Sequence, residues 1–378
     1  MLSIDRSGRL EGLEQALREQ AAKPQVAGLL VLACHDNGFA PAVLDPLLGS
    51  IGKPLFGGLF PQILQGRERL TRGSIVLGLA RAPRLRILKD LSDPRRDLAL
   101  ALEDALDPDG PGRPTLFVFV DGYAKRIAGL IDALFENFGL EANYLGGGAG
   151  SLAAGASTPC VFTQNGLLAD AAVLAQLDWP AGIGVAHGWT PISEPIKVTR
   201  AEHNRLIELN YRPAFEVYRE AIAEHSAQPL DAETFFSVAT AYPFGIRKMG
   251  GEVVVRDPIL LGEDGSILCV GEIPQSSLVH ILHGDTDSLI AAAGQAQWLS
   301  GVALAAQDPS KGALRIFIDC ISRVLFLGDD FDRELAVVDD GLPLVGALTL
   351  GEIANAGEDF LEFYNKTSVV GLFASAEG

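Results

Sequence analysis

The side chains best placed for chemistry stand where short apolar runs end. Arg256-Asp257 follows a valine run, Glu352 sits in Gly351-Glu-Ile353, and Asn365-Lys-Thr367 precedes the last apolar run. Polar groups at such places either close turns or converge on a pocket. Cys320 ends the run Arg315-Ile-Phe-Ile-Asp-Cys, and Arg323 follows three residues later. A neighbouring cation lowers a thiol pKa, so Cys320 is a candidate nucleophile for acyl transfer if the fold brings a base to it. Other catalytic signatures are missing: the sequence holds no GxSxG, no CxxC and no HExxH. The histidines are His35, His187, His203, His225, His280 and His283. None has paired metal spacing, and His280 and His283 are expected to straddle a strand end. The glycine cluster Gly146-Gly147-Gly148-Ala-Gly-Ser151 suits a loop that lets a ligand approach backbone N–H groups, or a tight reversal after a buried strand. No Lys-Ser/Thr follows it, so it is not a P-loop, and no clear amphipathic helix opens after it, as a dinucleotide fingerprint requires.

The elements that must position these residues recur. One order, strand, helix, strand ending in glycine, loop or hairpin, strand, is found three times. The first copy runs through Gly28–Cys34, a helix near Val43–Leu48, Lys53–Gly58 and Gly73–Leu79. The second has Thr115–Val120, a helix with Ile127, Leu130, Ile131, Leu134, Phe135 and Phe138 on one face, Tyr144–Gly148 and Ala171–Leu177. The third has Ala313–Ile318, a helix near Asp330–Val338, Pro343–Gly346 and Ser368–Phe373. Between the second and third, Glu252–Val255 and Ser266–Val270 predict a strand pair, and Thr286–Ala306 a long helix. The expected class is α/β: mixed sheets covered by helices, with the repeated strand-helix-strand-(Gly)-strand unit. The expected organisation is an N-terminal surface helix in 1–25, a domain over 26–180, a linker and connecting helix over 181–225, and a second domain over 226–378.

Composition narrows the partners. Lys and Arg number 30 against 48 Asp and Glu, a net charge of −18, and no basic run offsets it. That balance argues against nucleic acid and against an anionic membrane surface. No stretch reads as the roughly 20 apolar residues that span a bilayer, and the N-terminus does not read as a signal peptide. A cytoplasmic location is expected, with the four scattered cysteines as buried free thiols.

At this point the motifs resemble the FIST-domain family, with both its N-terminal and its C domain. The resemblance is carried by Phe56-Gly-Gly58, Gly146–Gly150, Ala186-His-Gly-Trp-Thr-Pro191, Tyr242-Pro-Phe-Gly-Ile246, Val255-Arg-Asp257, Cys320-Ile-Ser-Arg323, Gly351-Glu-Ile353 and Asn365-Lys-Thr367. It implies a sensory protein that binds a small ligand and acts in signal transduction, and not a self-sufficient enzyme. Pro54–Gln62, Gly146–Leu152, Pro159-Cys160 and Asp319–Leu327 look most like the nitric-oxide-sensing haemoproteins of that family. That likeness implies haem b, a histidine kinase partner and cyclic-di-GMP output. A single imidazole can hold a haem iron, which makes His35, His187, His203 and His280 the axial candidates. Tyr242 stands where many members have histidine, and His203 where glycine is commoner. The expected ligand-binding set is Gly146, Gly147, Gly148, Tyr242, Arg256, Cys320, Arg323, Glu352, Asn365 and Thr367. A haem-free sensor of amino acids or related metabolites is the main alternative, because arginine forks match carboxylates. A cysteine-dependent acyl-transfer enzyme is the other.

Overall fold

The computed structural model describes residues 2–103, 113–152, 157–226, 228–248, 251–308, 311–355 and 361–375. The chain forms three modules of one connectivity. The first is β1 (Leu2–Asp5), α1 (Leu10–Ala21), β2 (Gly28–Cys34), α2 (Pro41–Ser50), β3 (Leu55–Phe60), the hairpin β4 (Gln62–Gln65) and β5 (Glu68–Leu70), then β6 (Ser74–Leu79). The second is β7 (Arg84–Leu88), α3 (Leu98–Leu102), β8 (Thr115–Asp121), α4 (Ile127–Phe138), β9 (Asn143–Ala149), the hairpin β10 (Val161–Thr163) and β11 (Gly166–Leu168), then β12 (Ala172–Leu177). The third opens with β13 (Ala181–Ala186) and is interrupted. The insertion holds β14 (Thr190–Pro191), β15 (Ile196–Glu202), β16 (Arg205–Leu209), β17 (Arg212–Pro213), α5 (Ala214–Ile222), α6 (Phe235–Ala239), β18 (Phe244–Arg247), β19 (Val253–Leu261), β20 (Ile267–Val270) and β21 (Leu278–His283), whose strands make a sheet of their own. The third module then resumes with α7 (Thr286–Gln307), β22 (Gly312–Cys320), α8 (Ile321–Leu327), α9 (Phe331–Val338), β23 (Leu344–Thr349), the hairpin β24 (Glu352–Asn355) and β25 (Leu361–Tyr364), then β26 (Ser368–Ala374).

The expected mixed α/β class is what the fold shows, and the repeat is visible in its register. Each module has one parallel pair joined by a helical crossover, with Val31 opposite Gly57, Val118 opposite Gly146, and Phe317 opposite Gly346. A Cβ on any of these three glycines would collide with the facing residue's carbonyl oxygen. The glycine therefore allows close packing of the parallel pair, the same device three times. An antiparallel third strand (β6, β12 or β26) flanks each pair on the other side.

The hairpins do not stay at home. Strand order is β1-β6-β2-β3-β10-β11 in the first sheet, β25-β24-β9-β8-β12-β7 in the second, and β13-β26-β22-β23-β4-β5 in the third. Each module thus extends its sheet with the hairpin of another. The first receives from the second, the second from the third, and the third from the first. No module completes its sheet without the others, and one shared core forms between them, with Phe56, Phe117, Phe119, Leu145 and Phe373 fully buried in it.

Three sequence expectations change here. The N-terminus is not simply a helix: Leu2–Asp5 pairs with β6 before α1 begins. The run Gly146–Gly148 is not a loop. It lies inside β9, fully buried, parallel to β8 and antiparallel to β24. Local sequence suggested a reversal because glycine favours turns; here the missing Cβ atoms admit neighbouring backbone, that of Val118 at Gly146, of Gly351 at Gly147 and of Leu350 at Gly148. His280 and His283 do not straddle a strand end either, since both lie within β21. In addition, α7 is by length and composition alone apolar enough to cross a membrane, which the sequence reading did not anticipate. In the fold it packs along β13, where Gly182 and Gly184 bring the strand against the helix backbone.

Candidate functional site

The C-terminal ends of parallel strands are where open α/β sheets place ligand chemistry, and the three modules offer three such ends. In the first, Asn37 closes the end by an amide pair with Gly73: its Nδ2 donates to the Gly73 carbonyl at 2.8 Å, and the Gly73 N–H donates to its Oδ1 at 2.9 Å. In the second, Asp121 accepts from the N–H of Tyr123 at 3.0 Å, the N–H of Asp170 at 2.8 Å and the Ser157 hydroxyl. Asp170 in turn accepts from the Ser92 hydroxyl at 2.6 Å. Both ends are satisfied turn networks.

The third end differs. Asp319, Arg323, Glu334, Glu352 and Lys366 are all 0% exposed there, with Asp257 of the insertion at 4%. Asp319 is the penultimate residue of β22, and Arg323 lies one turn later on α8. Glu334 falls on the buried stripe of α9 with Phe331, Leu335 and Val338. Arg323 Nε is 3.2 Å from Asp319 Oδ1, and its Nη2 is 2.9 Å from Glu334 Oε1. The remaining donors of Arg323 reach the carbonyls of His187 and Leu289, both at 2.9 Å. The Ser368 hydroxyl bridges the two acids, 3.1 Å from Asp319 Oδ1 and 3.0 Å from Glu334 Oε1. Burial, with Glu334 nearby and against the pull of Arg323, pushes the Asp319 carboxyl well above the ordinary range.

Glu352 opens β24, the strand lent to the second module, and pairs in register with Gly147. It accepts from the Thr349 hydroxyl at 3.1 Å, from the Thr367 N–H at 3.3 Å, and from the Cys320 thiol. Burial raises its carboxyl to about 8 despite these donors. Lys366 has a left-handed backbone (φ 51°) two residues before β26, as Asp170 has (φ 44°) two residues before β12. Its ammonium is 3.2 Å from Asp257 Oδ1, 3.1 Å from the Thr240 carbonyl and 5.5 Å from the centre of the Trp189 ring. Ser322 donates to the other Asp257 oxygen at 2.7 Å. Nearby, Arg256 binds the Phe363 carbonyl at 3.0 Å, the Glu272 carbonyl at 2.8 Å and Glu362 at 3.3 Å. These bonds fasten the inserted sheet over the strand ends of the third module.

Of the residues the sequence put forward, Cys320, Arg323, Glu352, Asn365 and Thr367 come together here. Arg256 sits at the margin. Tyr242 lies in the insertion between α6 and β18, its ring stacked on that of His283 at 4.9 Å. Gly146 and Gly148 act as backbone spacers, and Gly147 faces Glu352. Sequence reasoning passed over Asp319 and Glu334, and left Asp257 and Lys366 out of the binding set although it singled out the motifs Arg256-Asp257 and Asn365-Lys-Thr367 that contain them. Glu334 carried the clearest missed signal, an acid on the apolar stripe of a helix. Three buried oxygens of this cluster have no hydrogen-bond partner among the described residues: Asp319 Oδ2, Glu334 Oε2 and Asn365 Oδ1. Neither Arg323 nor Arg256 presents a free fork for a ligand carboxylate, because neighbouring protein atoms hold both.

The arrangement does not activate Cys320. Burial, with the charges of Glu352 and Asp257, drives its thiol well above the usual range, and Arg323 is held by carboxylates of its own. At neutral pH neither a thiolate nor an ionised Glu352 base is favoured.

The histidines divide on donor geometry. His203 is exposed at the tip of the β15–β16 hairpin, and His35 lies part-exposed in a short 3-10 turn. His187 has both ring nitrogens engaged: Nδ1 accepts from the Trp189 N–H at 2.9 Å and the other bonds the Val253 carbonyl. Burial lowers it to about 4, so it stays neutral. His280 is buried with Nδ1 3.0 Å from the Ser193 carbonyl, which fixes its tautomer and leaves Nε2 as the lone-pair nitrogen. His187 is thereby excluded on donor chemistry, and His280 is the buried candidate whose donor chemistry fits an axial ligand. No cluster of three or more His, Cys, Asp and Glu suited to a metal ion occurs among the described residues. Two surface depressions, of about 390 Å³ beside Arg205 and Asp264 and about 380 Å³ beside Arg96 and Arg126, are lined by neither the cluster nor a histidine.

Two family models match the chain. One, described as the FIST N domain, covers residues 9–212; the other, described as the FIST C domain, covers residues 214–355. No curated protein matches it.

Proposed function

The chain belongs to the FIST family, whose domains sense small ligands in signalling proteins, and from that premise we propose that it is an intracellular sensor reading its ligand at the strand ends of the third module. The observation that carries this is the concentration of buried ionisable groups, with the ion-paired Arg323 and Lys366 among them, at one of three equivalent ends. Burying ions costs several kcal/mol each unless they are fully compensated. The first module closes the same position with a neutral amide, and the second with a single buried acid, Asp121, held by two backbone amides and a hydroxyl. Such clusters collect at functional sites, and the unpartnered oxygens of Asp319, Glu334 and Asn365 are groups that a ligand would satisfy.

The chemistry suits an amino acid or a related zwitterion. Four acids, Asp257, Asp319, Glu334 and Glu352, stand with two cations, Arg323 and Lys366. The acids match an ammonium group, and Lys366 matches a carboxylate. Lys366, Asp257 and Arg256 also tie the inserted sheet to the module, so a ligand that competes for them shifts the population of inserted-sheet positions. That movement is the signal passed to a partner, for which a histidine kinase is the natural class. Thermal shift of the full chain against the standard amino acids tests this reading. Stabilisation by one compound, lost in Lys366→Met, supports it; a flat response to every amino acid counts against it.

The second reading is a haem-based nitric oxide sensor, and the free Nε2 of His280 is the observation that favours it. His280 would hold the iron, and haem would supply the site for the gas. Haem titration of the purified chain should give a Soret band that His280→Ala removes and nitric oxide shifts. No band, or one untouched by His280→Ala, overturns this reading.

A further inference from the structure

The long helix α7 is apolar on both sides. From Ser288 to Gln307 it carries no charged residue, in a chain of net charge −18. Its inner face is held against β13 and β26. Its outer face exposes Ala291, Gln295, Trp298, Val302 and Ala305, one stripe at helical spacing. Trp298 is 62% exposed and Val302 48%. Val337 of α9, 41% exposed, lies against Gly294 and widens the stripe, while open space surrounds Gly301. Apolar surface of this extent with an aromatic at its centre marks a protein contact.

We propose that this face is the interface of a homodimer, with α7 of one copy packed antiparallel on α7 of the other across a two-fold axis at Trp298. The stripe is complementary to itself in that arrangement. Ala291 and Ala305 lie seven residues either side of Trp298, so each faces the other on the partner copy. Gly294 faces Val302, and Gln295 faces Gly301, a small residue against a larger one in each case. This is the isologous pattern a two-fold dimer requires. A like-charged second copy approaches best across an uncharged face. The helix spans about 33 Å, and two such stripes with their flanks bury on the order of 1,000 Å², the threshold for a specific interface.

Sedimentation equilibrium of the full chain over a concentration series should show a dimer. Trp298→Arg should weaken it about thirtyfold or more, as expected of a central anchor, with circular dichroism unchanged and the thermal midpoint unchanged at dilutions where the wild type is monomeric, because the residue is exposed. Val302→Glu provides a second disruption. Single variants Ala291→Cys and Ala305→Cys, mixed and oxidised, should give the mixed 291–305 disulfide in preference to either symmetric one. A monomer at every concentration, a dimer indifferent to both substitutions, or a dominant 291–291 disulfide would overturn the proposal.

Discussion

At the end of β8, Asp121 is wrapped by two backbone amides and the Ser157 hydroxyl. At the matching end of β22, Cys320 and Asp319 are surrounded by Arg323, Glu334, Glu352, Lys366 and Asp257. The scaffolds agree down to the glycine facing the parallel strand and the left-handed residue two places before the last strand. Fold requirements alone therefore do not account for buried charge at the third end. The third module's own residues supply most of the cluster, and the insertion adds to the difference by covering that end and bringing Asp257 onto Lys366 and Arg256 onto the Phe363 carbonyl.

Substitutions at matched places should separate the two ends. The largest effect is expected of Arg323→Met, which leaves Glu334 and Asp319 buried without their cation. Urea unfolding should show a loss of about 3–5 kcal/mol. Asp121→Ala in the second module should cost about 1–3 kcal/mol, because it strips acceptors from two backbone N–H groups, and should leave any ligand response intact. A ligand response lost in Asp121→Ala would erase the distinction between the ends.

The pH dependence sharpens the contrast further. Glu352 has a folded-state pKa of about 8, above its ordinary value of 4.5. Its contribution is fully present below about pH 4.5 and is lost as pH rises toward 8. Glu352→Gln should flatten the fall in thermal midpoint across that window, and an unchanged slope would place the titration elsewhere. His187 acts in the opposite sense. Its pKa is lowered from 6.5 to about 4, so its contribution is present above pH 6.5 and is lost as pH falls toward 4. Proton NMR should show its ring neutral at pH 5.5 or thereabouts, between those two values. The smallest effect is expected of Asn37→Ala in the first module, about 1 kcal/mol for a lost turn closure.

Much of the scaffold was legible in the sequence, because each module's strands are short apolar runs with punctuation at their ends. β2, read as Gly28–Cys34, has those bounds in the fold. The destination of the hairpins was not legible: nothing in Gln62–Leu70 says that β4 pairs with β23 of the third module. The glycine run misled for a related reason, since its purpose is to admit a segment remote in sequence. Cys320, Arg323, Glu352, Asn365 and Thr367 could be found because they punctuate strands. Glu334 could not be found that way, since it sits within a helix and joins the cluster through Arg323 on another helix and Ser368 on β26.

The most direct test compares ligand responses at the two matched left-handed positions. Thermal shift of the wild-type chain, Lys366→Met and Asp170→Asn would be read with whichever amino acid stabilises the wild type most. The account predicts that Lys366→Met abolishes the ligand-induced shift while Asp170→Asn retains it, whatever each variant does to the unliganded midpoint. Equal retention, or equal loss, in the two variants would contradict the assignment of the ligand site to the third module.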